Sequence, residues 1–232
     1  MKKYLLLFTA ILLPFEIFAF SLFGDPVGVP EQKEYIIYSK YIEKKALPNV
    51  ENADIDTTLL IYNIQTQVSK ATQMFYLKDN ELHTFKNSSW ALPVSKMLTV
   101  ATFEYILDHN LVRNLAFQDL NIRQDFTLSG TTPYGPVLDL DNNVFFFYIT
   151  FYLKNETTGE TMIKTFKYHH KLTNEDINSN SYAELTSTGL STILERMKPW
   201  LIENIKQEKQ KNASLKNKDK QSLFNLVAKK QS

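Results

Sequence analysis

The sequence predicts an α/β fold of the two-layer α+β kind: a mixed, largely antiparallel sheet with two long amphipathic helices packed on one face. Three observations carry this. Two segments, opening at Pro93 and at Ser181, repeat apolar residues at helical spacing. Several β-rich runs lie before and between them. One further run, Val144–Leu153, is ten residues that are all apolar or aromatic except Thr150. Strands and helices do not alternate regularly, which excludes a doubly wound parallel sheet.

The elements follow in order. Met1-Lys2-Lys3 is a basic start, and Tyr4–Phe15 is an apolar stretch of twelve carrying Pro14. Twelve residues at helical rise cover about 18 Å, too short for a membrane some 30 Å thick. Ala19-Phe20-Ser21 supplies small residues suited to cleavage, so residues 1–21 read as a secretory signal peptide. Residues 22–34, with Gly24, Pro26, Gly28 and Pro30, form an irregular lead-in. Residues 35–205 make the single folded domain.

Within it, Tyr35–Tyr41 and Thr58–Gln67 read as strands, and Gln73–Lys78 with Glu81–Lys86 as a hairpin across Asp79-Asn80. Pro93 opens the first helix, where Val94, Met97, Leu98, Ala101 and Tyr105 share one face. Asn110 ends it. Leu111–Phe117 and Asn121–Leu128 are expected as short strands, and Ser129–Asn143, with two glycines and two prolines, as a loop. Val144–Leu153 lacks period-2 alternation and is expected to be covered on both faces. Lys154–Glu160 turns the chain into a partner strand, Thr161–His170. Ser181–Glu184 reads as a capping box for the last helix, whose face runs through Tyr182, Leu185, Gly189, Ile193, Met197, Trp200 and Ile205. Gly189 lets that helix approach the sheet, and Pro199 is expected to kink or restart it. Residues 206–232 hold eight lysines against Glu208 and Asp219 and read as a basic, mostly flexible tail, dispensable for folding.

Composition limits the chemistry. A chain of 232 residues that is 44% hydrophobic, 22% charged and 13% aromatic is globular rather than disordered or fibrous. Twenty-six basic against 25 acidic residues leave a net charge of +1, without the field a nucleic-acid binder needs. Cysteine is absent, which removes disulfides, thiol catalysis, Cys-based zinc sites and lipid-anchoring cysteines. There is no G-x-G-x-x-G, P-loop or G-x-S-x-G motif. Asp139–Asn143 starts like a calcium loop, but Val144 and Thr150 stand where the turn glycine and the bidentate glutamate belong, so it reads as a polar turn. His169 and His170 are adjacent on a strand and point to opposite faces, so they cannot share an ion. No catalytic residue, metal or cofactor is expected. The residues singled out for structure or interface are Trp90 and Pro93 at the strand-to-helix corner, Tyr76 and Phe85 in the hairpin, and Trp200 in the last helix.

Met74–Phe85, then Ser89-Trp90-Ala91-Leu92-Pro93 and a helix closing at Leu111-Val112-Arg113, resembles the ABC-type transport auxiliary component family (the PqiC-like intermembrane-transport lipoproteins). In that family a strand pair ends in a Trp-x-x-Pro-type entry into the first helix. The later long apolar strand, Thr158-Gly159 turn, returning strand and C-terminal helix keep the same order, so the resemblance covers residues 33–205. It implies a non-enzymatic periplasmic component working with an MCE-domain protein and an ABC permease and ATPase that move lipid between inner and outer membranes. The chain has no lipobox cysteine: Ala19-Phe20-Ser21 occupies that region. Attachment to the outer membrane is therefore expected to be peripheral, through protein contacts or phospholipid contact by the basic tail, and the assembly with the partner could be a ring of identical subunits. A soluble periplasmic lipid carrier is the alternative.

Overall fold

The computed structural model describes residues 31–39, 53–67, 72–117 and 122–230, with side chains up to residue 214. The signal segment and all but the end of the lead-in lie outside these residues. Contacts divide the chain into Met1–Gln32 and Lys33–Ser232, and the sheet and helices belong to the second unit. Its strands are β1 (Lys33–Tyr35), β2 (Thr58–Thr66), β3 (Gln73–Lys78), β4 (Glu81–Trp90), β5 (Asn114–Phe117), β6 (Phe126–Thr132), β7 (Val137–Asp139), β8 (Val144–Asn155) and β9 (Thr161–Lys171). The helices are α1 (Val94–Asp108) and α2 (Ser179–Lys230), with a short 3-10 turn at Asn174–Asp176. The result is the mixed sheet with two helices that the sequence predicts.

β8 organises the sheet. One edge pairs antiparallel with β9 from Val144↔Lys171 to Lys154↔Thr161. The other edge is shared end to end by β7, through Val137↔Phe146, and β6, through Thr131↔Thr150. β2 and β3 follow one another in the same way, parallel to β6 and β7. β5 lies parallel beside β2, while β4 pairs antiparallel with β3 and parallel with β1.

The hairpin turn forms where Asp79-Asn80 predicts it. Both residues have positive φ, 54° and 59°, as a two-residue turn matched to the strand twist requires. Asp141 clamps the turn from β7's side, accepting from the Asp79 and Asn80 N–H groups at 2.7 and 3.0 Å. The Asp139–Asn143 segment is thus a polar turn, in which Asp139 also accepts from Asn142.

Several boundaries differ from expectation, each for a physical reason. The run from Tyr35 to Tyr41 contributes strand only to Tyr35, because its partner β4 ends at Trp90 and turns away into α1. The next N–H groups go to side chains instead, Ile37 to Met97 Sδ and Tyr38 to Ser187 Oγ. Residues 40–41 lie outside the described residues. The exit strand after α1 starts only at Asn114, and the following strand at Phe126. Ser129–Asn143 is not one loop: β6 runs on through Gly130 to Thr132, and β7 resumes after Pro136. Only Pro133–Pro136 leaves the ladder, where two prolines remove N–H donors. Gly130 is a strand residue, needed because a Cβ there would stand 3.2 Å from Ile64 Cγ1. β8 is not covered alike on both faces. Phe145, Phe147, Ile149, Phe151 and Leu153 are fully buried, while Val144, Phe146, Tyr148, Thr150 and Tyr152 are only partly so, because both helices lie on one face.

α1 buries Met97, Leu98, Ala101 and Tyr105, with Val94 packed at the core's edge, as the spacing predicts. Pro93 stands one position before the helix, at φ −51° and ψ 133°. α2 begins earlier than the Ser181–Glu184 box. Asn178 Oδ1 accepts from the Ser181 N–H at 2.9 Å and is the cap. The capping box belongs to the preceding 3-10 turn, between Thr173 and Asp176. The helix passes through Pro199 without interruption and remains helical to Lys230. At Gly189 a Cβ would lie 2.8 Å from the Tyr168 ring, so only glycine allows the helix this close to β9.

Candidate interface on the helix-free face of the sheet

Three of the predicted residues meet on the helix side. Tyr76 and Phe85 pack ring to ring at 5.1 Å, Phe85 stacks on Tyr182 at 5.6 Å, and Trp90 meets Tyr182 at 5.5 Å. Trp90 and Tyr182 are 2% and 1% exposed. Tyr182, on the first turn of α2, donates its hydroxyl to Pro136 O at 2.7 Å, and burial pushes its phenol well above its ordinary pKa. This cluster locks the start of α2 onto the hairpin. Trp200 stands apart, edge-on to Phe166 at 5.8 Å, and Pro93 is half-buried at the corner.

Among the described residues, no helix covers the opposite face of the sheet. Strand pairing puts the Val144, Phe146, Tyr148, Thr150, Tyr152 and Lys154 side chains there in one row along β8. Phe75 and Leu77 of β3 and Leu82 of β4 share this face through their registers with β4 and β7. Leu82 is 60% exposed. The row is therefore apolar toward β3 and β4 and polar toward β2. Along the free edge, Lys167, His169 and Lys171 of β9 sit opposite Tyr148, Phe146 and Val144. Lysines on an edge strand oppose pairing with another strand.

The polar end is a groove of about 560 Å³. Its floor is the hydroxyl row of β6, Thr127, Ser129 and Thr131. β8 contributes Tyr152 and Lys154, and β2 contributes Tyr62, Asn63 and Gln65. A bulge makes the β2 wall. Its register shifts between Ile61↔Leu128 and Ile64↔Gly130, so Tyr62 and Asn63 together oppose Ser129. Strict alternation would send Asn63 inward; the bulge turns Tyr62, Asn63 and Gln65 outward and returns Ile64 to the core. α1 holds the bulge from behind, because Thr99 Oγ1 accepts from the Ile64 N–H at 2.8 Å. At the groove's end Lys154 Nζ lies 2.8 Å from Glu156 Oε2, and the Thr127 hydroxyl donates to Glu156 Oε1 at 2.7 Å. These two bonds hold the Glu156 carboxyl below its ordinary pKa, so it stays charged and its charge is matched by Lys154.

Of the groove's members only Tyr152 stands out in the sequence, in the aromatic run of β8, one face of which could line a groove or meet another subunit. The signal was present in Phe126-Thr-Leu-Ser-Gly-Thr-Thr132, whose hydroxyls alternate with buried residues, but Gly130 and Pro133 suggest a loop there. The histidines are spread over the domain. His169 and His170 do point to opposite faces, with His170 Nε2 3.5 Å from Asp176, while His83 stacks on Tyr76. No cluster of metal-ligating side chains occurs among the described residues. None of their helices is long and apolar enough to cross a membrane.

No family model and no curated protein matches the sequence. Among solved structures, the chain is similar to protein XCC0632 from Xanthomonas campestris, described with the DUF330 family model. The TM-score is 0.59 at 13% identity, over 77% of this chain and 98% of that one. The two share a fold. An uncharacterized protein aligns at TM-score 0.49 and 16% identity, over 75% of this chain and 99% of its own. PelC from Paraburkholderia phytofirmans, crystallised as a dodecamer, aligns at 0.39 and 7%, over 65% and 92%, too distant to argue from.

Proposed function

We propose that the exported chain is a non-enzymatic periplasmic auxiliary component of an MCE-type ABC transporter that moves lipid between inner and outer membranes, acting as adaptor or scaffold. The observation that carries this reading is the apolar end of the helix-free face. There Phe75, Leu77, Phe146 and Tyr148 are only half-buried and Leu82 projects into solvent. Aromatic residues of this kind supply much of the energy of protein interfaces. The strand, Trp-x-x-Pro and helix order at 74–113 supports the family resemblance, and the fold shared with the DUF330 protein is consistent with it.

The carrier alternative needs an apolar chamber for acyl chains, and the groove on this face is lined largely by hydroxyls, amides and a charge pair. A pull-down from solubilised envelope with tagged full-length protein tests the proposal. Recovery of the MCE protein, the permease or the ATPase is the expected result. Recovery of none of these, from protein that carries stoichiometric phospholipid, would replace the adaptor with the carrier.

A further inference from the structure

We infer that the groove between β2, β6 and β8 binds a neutral saccharide chain. Its position excludes the other common ligands of such a surface. β6 is an interior strand, bonded to β2 on one side and β8 on the other, so its backbone groups are spent in the ladder. An added peptide strand would find no main-chain partners there. Apart from the Gly130 backbone, side chains line the groove, and those of Ser129, Thr131, Asn63 and Gln65 are uncharged donors and acceptors. Among the described residues of its lining, the full charges are Lys154 and Glu156, and they neutralise each other at 2.8 Å. The groove therefore attracts neither anion nor cation strongly, and its polar floor does not suit an acyl chain.

What remains is a ligand with many hydroxyl groups and no net charge. Its rings need flat apolar surfaces as well, and the groove supplies two. Tyr152 pairs with Ser129 from one side, and Tyr62 opposes the same Ser129 from the other. The two tyrosines thus flank one hydroxyl on adjacent strands, about 10 Å apart at the backbone. Each offers a ring face to sugar C–H groups; the Tyr62 hydroxyl is open to sugar oxygens, while that of Tyr152 lies 3.5 Å from Thr131 Oγ1. Among the described residues, no hydrogen bond uses the side chains of Tyr62, Asn63, Gln65 or Ser129, so these groups stand ready for a ligand. The bulge that aims Tyr62, Asn63 and Gln65 is fixed by Thr99, so the wall is built before any ligand arrives. A volume of about 560 Å³ accommodates a few sugar rings.

Saturation-transfer NMR and calorimetry on the full chain test this with three probes. They are cellohexaose, hexa-N-acetylchitohexaose, and phosphatidylcholine vesicles bearing a digalactosyl lipid, with plain phosphatidylglycerol vesicles as the contrast. Binding of either free hexasaccharide is the expected result and points to a soluble or cell-wall glycan. Binding only to the digalactosyl vesicles also supports the groove and points to a glycolipid headgroup. Tyr62→Ala should weaken binding at least tenfold, while Tyr152→Phe, which keeps the ring, should weaken it only a few-fold. Leu82→Glu, on the apolar end, should leave it unchanged. The inference is overturned if folded protein ignores all three sugar-bearing probes at about 10 mM sugar, far above useful affinity. It is equally overturned if only phosphatidylglycerol binds, or if Tyr62→Ala and Tyr152→Ala leave binding intact.

Discussion

Asn155 and Glu208 meet in the interior, the Asn155 amide donating to Glu208 Oε2 at 2.9 Å. Asn155 ends β8 and is fully buried; Glu208 lies on α2 and is 2% exposed. Lys211 closes the other side of the carboxylate, and Asn155 Oδ1 accepts from the Thr157 N–H in the β8–β9 turn. Helix and strand end meet at one carboxylate, and the turn is tied in through Asn155. Glu208→Ala should lower stability by about 1–3 kcal/mol, because it removes one of the two bonds the buried Asn155 amide donates and leaves it only Asn212. Truncation after Gln207 should cost at least as much, read as a lower urea midpoint at constant slope. An unchanged midpoint would mean that nothing after Gln207 supports the domain.

Acid should act through the same carboxylate and its neighbours. Burial pushes the Glu208 pKa up, but the bonds from Lys211 and Asn155 outweigh it and leave the group below its ordinary value. Thr173's N–H and hydroxyl lower Asp176, and Lys154 and Thr127 lower Glu156. Carboxylates depressed in the folded state contribute stability in full above their unfolded pKa and lose it as pH falls through the folded one. Urea midpoints should therefore be level from neutrality to about pH 5 and drop below about pH 4. The drop should be shallower in Glu208→Gln, and an identical profile would remove Glu208 from the account.

Gly189 gives a steric test. An added methyl would meet the Tyr168 ring at 2.8 Å and Phe147 at 3.3 Å. Although alanine favours helix by about 1 kcal/mol, Gly189→Ala should destabilise by about 1–3 kcal/mol through overpacking. Thermal melting of Gly189→Ala with Tyr168→Ala should show that the two changes are not additive, since removing the ring makes room.

Trp90 is structural in this fold. Trp90→Ala should cost about 3–5 kcal/mol and Trp90→Phe less, since Phe still fills part of the space against Tyr182. Tyr182→Phe should cost about 1 kcal/mol by freeing the Pro136 carbonyl. Denaturant titrations of the three variants check the order.

Leu82 is the position to separate partner binding from folding. Leu82→Glu, at a side chain 60% exposed, should move stability by less than about 0.5 kcal/mol. If the apolar end is the adaptor surface, the same change should abolish recovery of the transporter components. Retained recovery would place the partner elsewhere on the domain.

Much of this architecture was legible in residue spacing. The Asp79-Asn80 turn, the α1 face and the close approach at Gly189 all follow from local chemistry, and the structure places them as predicted. What escaped depended on distant partners. Gly130 and Pro133 suggest a loop until β2 and β8 are seen to hold β6 in place on both sides. Asn63 turns outward only because Thr99, 36 residues later in the chain, takes the N–H of Ile64. Glu208 reads as one charge in a basic tail until Asn155 receives it. Burial on one face alone likewise could not be inferred for β8, whose outward row is nearly as apolar as its inward one.

The shared edge of β8 also dictates an order of events. β2 and β3 lie parallel to β6 and β7, more than 60 residues downstream, and parallel neighbours cannot be closed by a hairpin. During synthesis the first half of the sheet therefore emerges with open edges and waits for its centre. Pairings this distant in sequence are slow, and strands left open meanwhile invite association with other chains. Until β8 is complete at Asn155, the β3–β4 hairpin and β1 can pair, but the two halves of the sheet, β2 with β6 and β3 with β7, lack the strand that joins them.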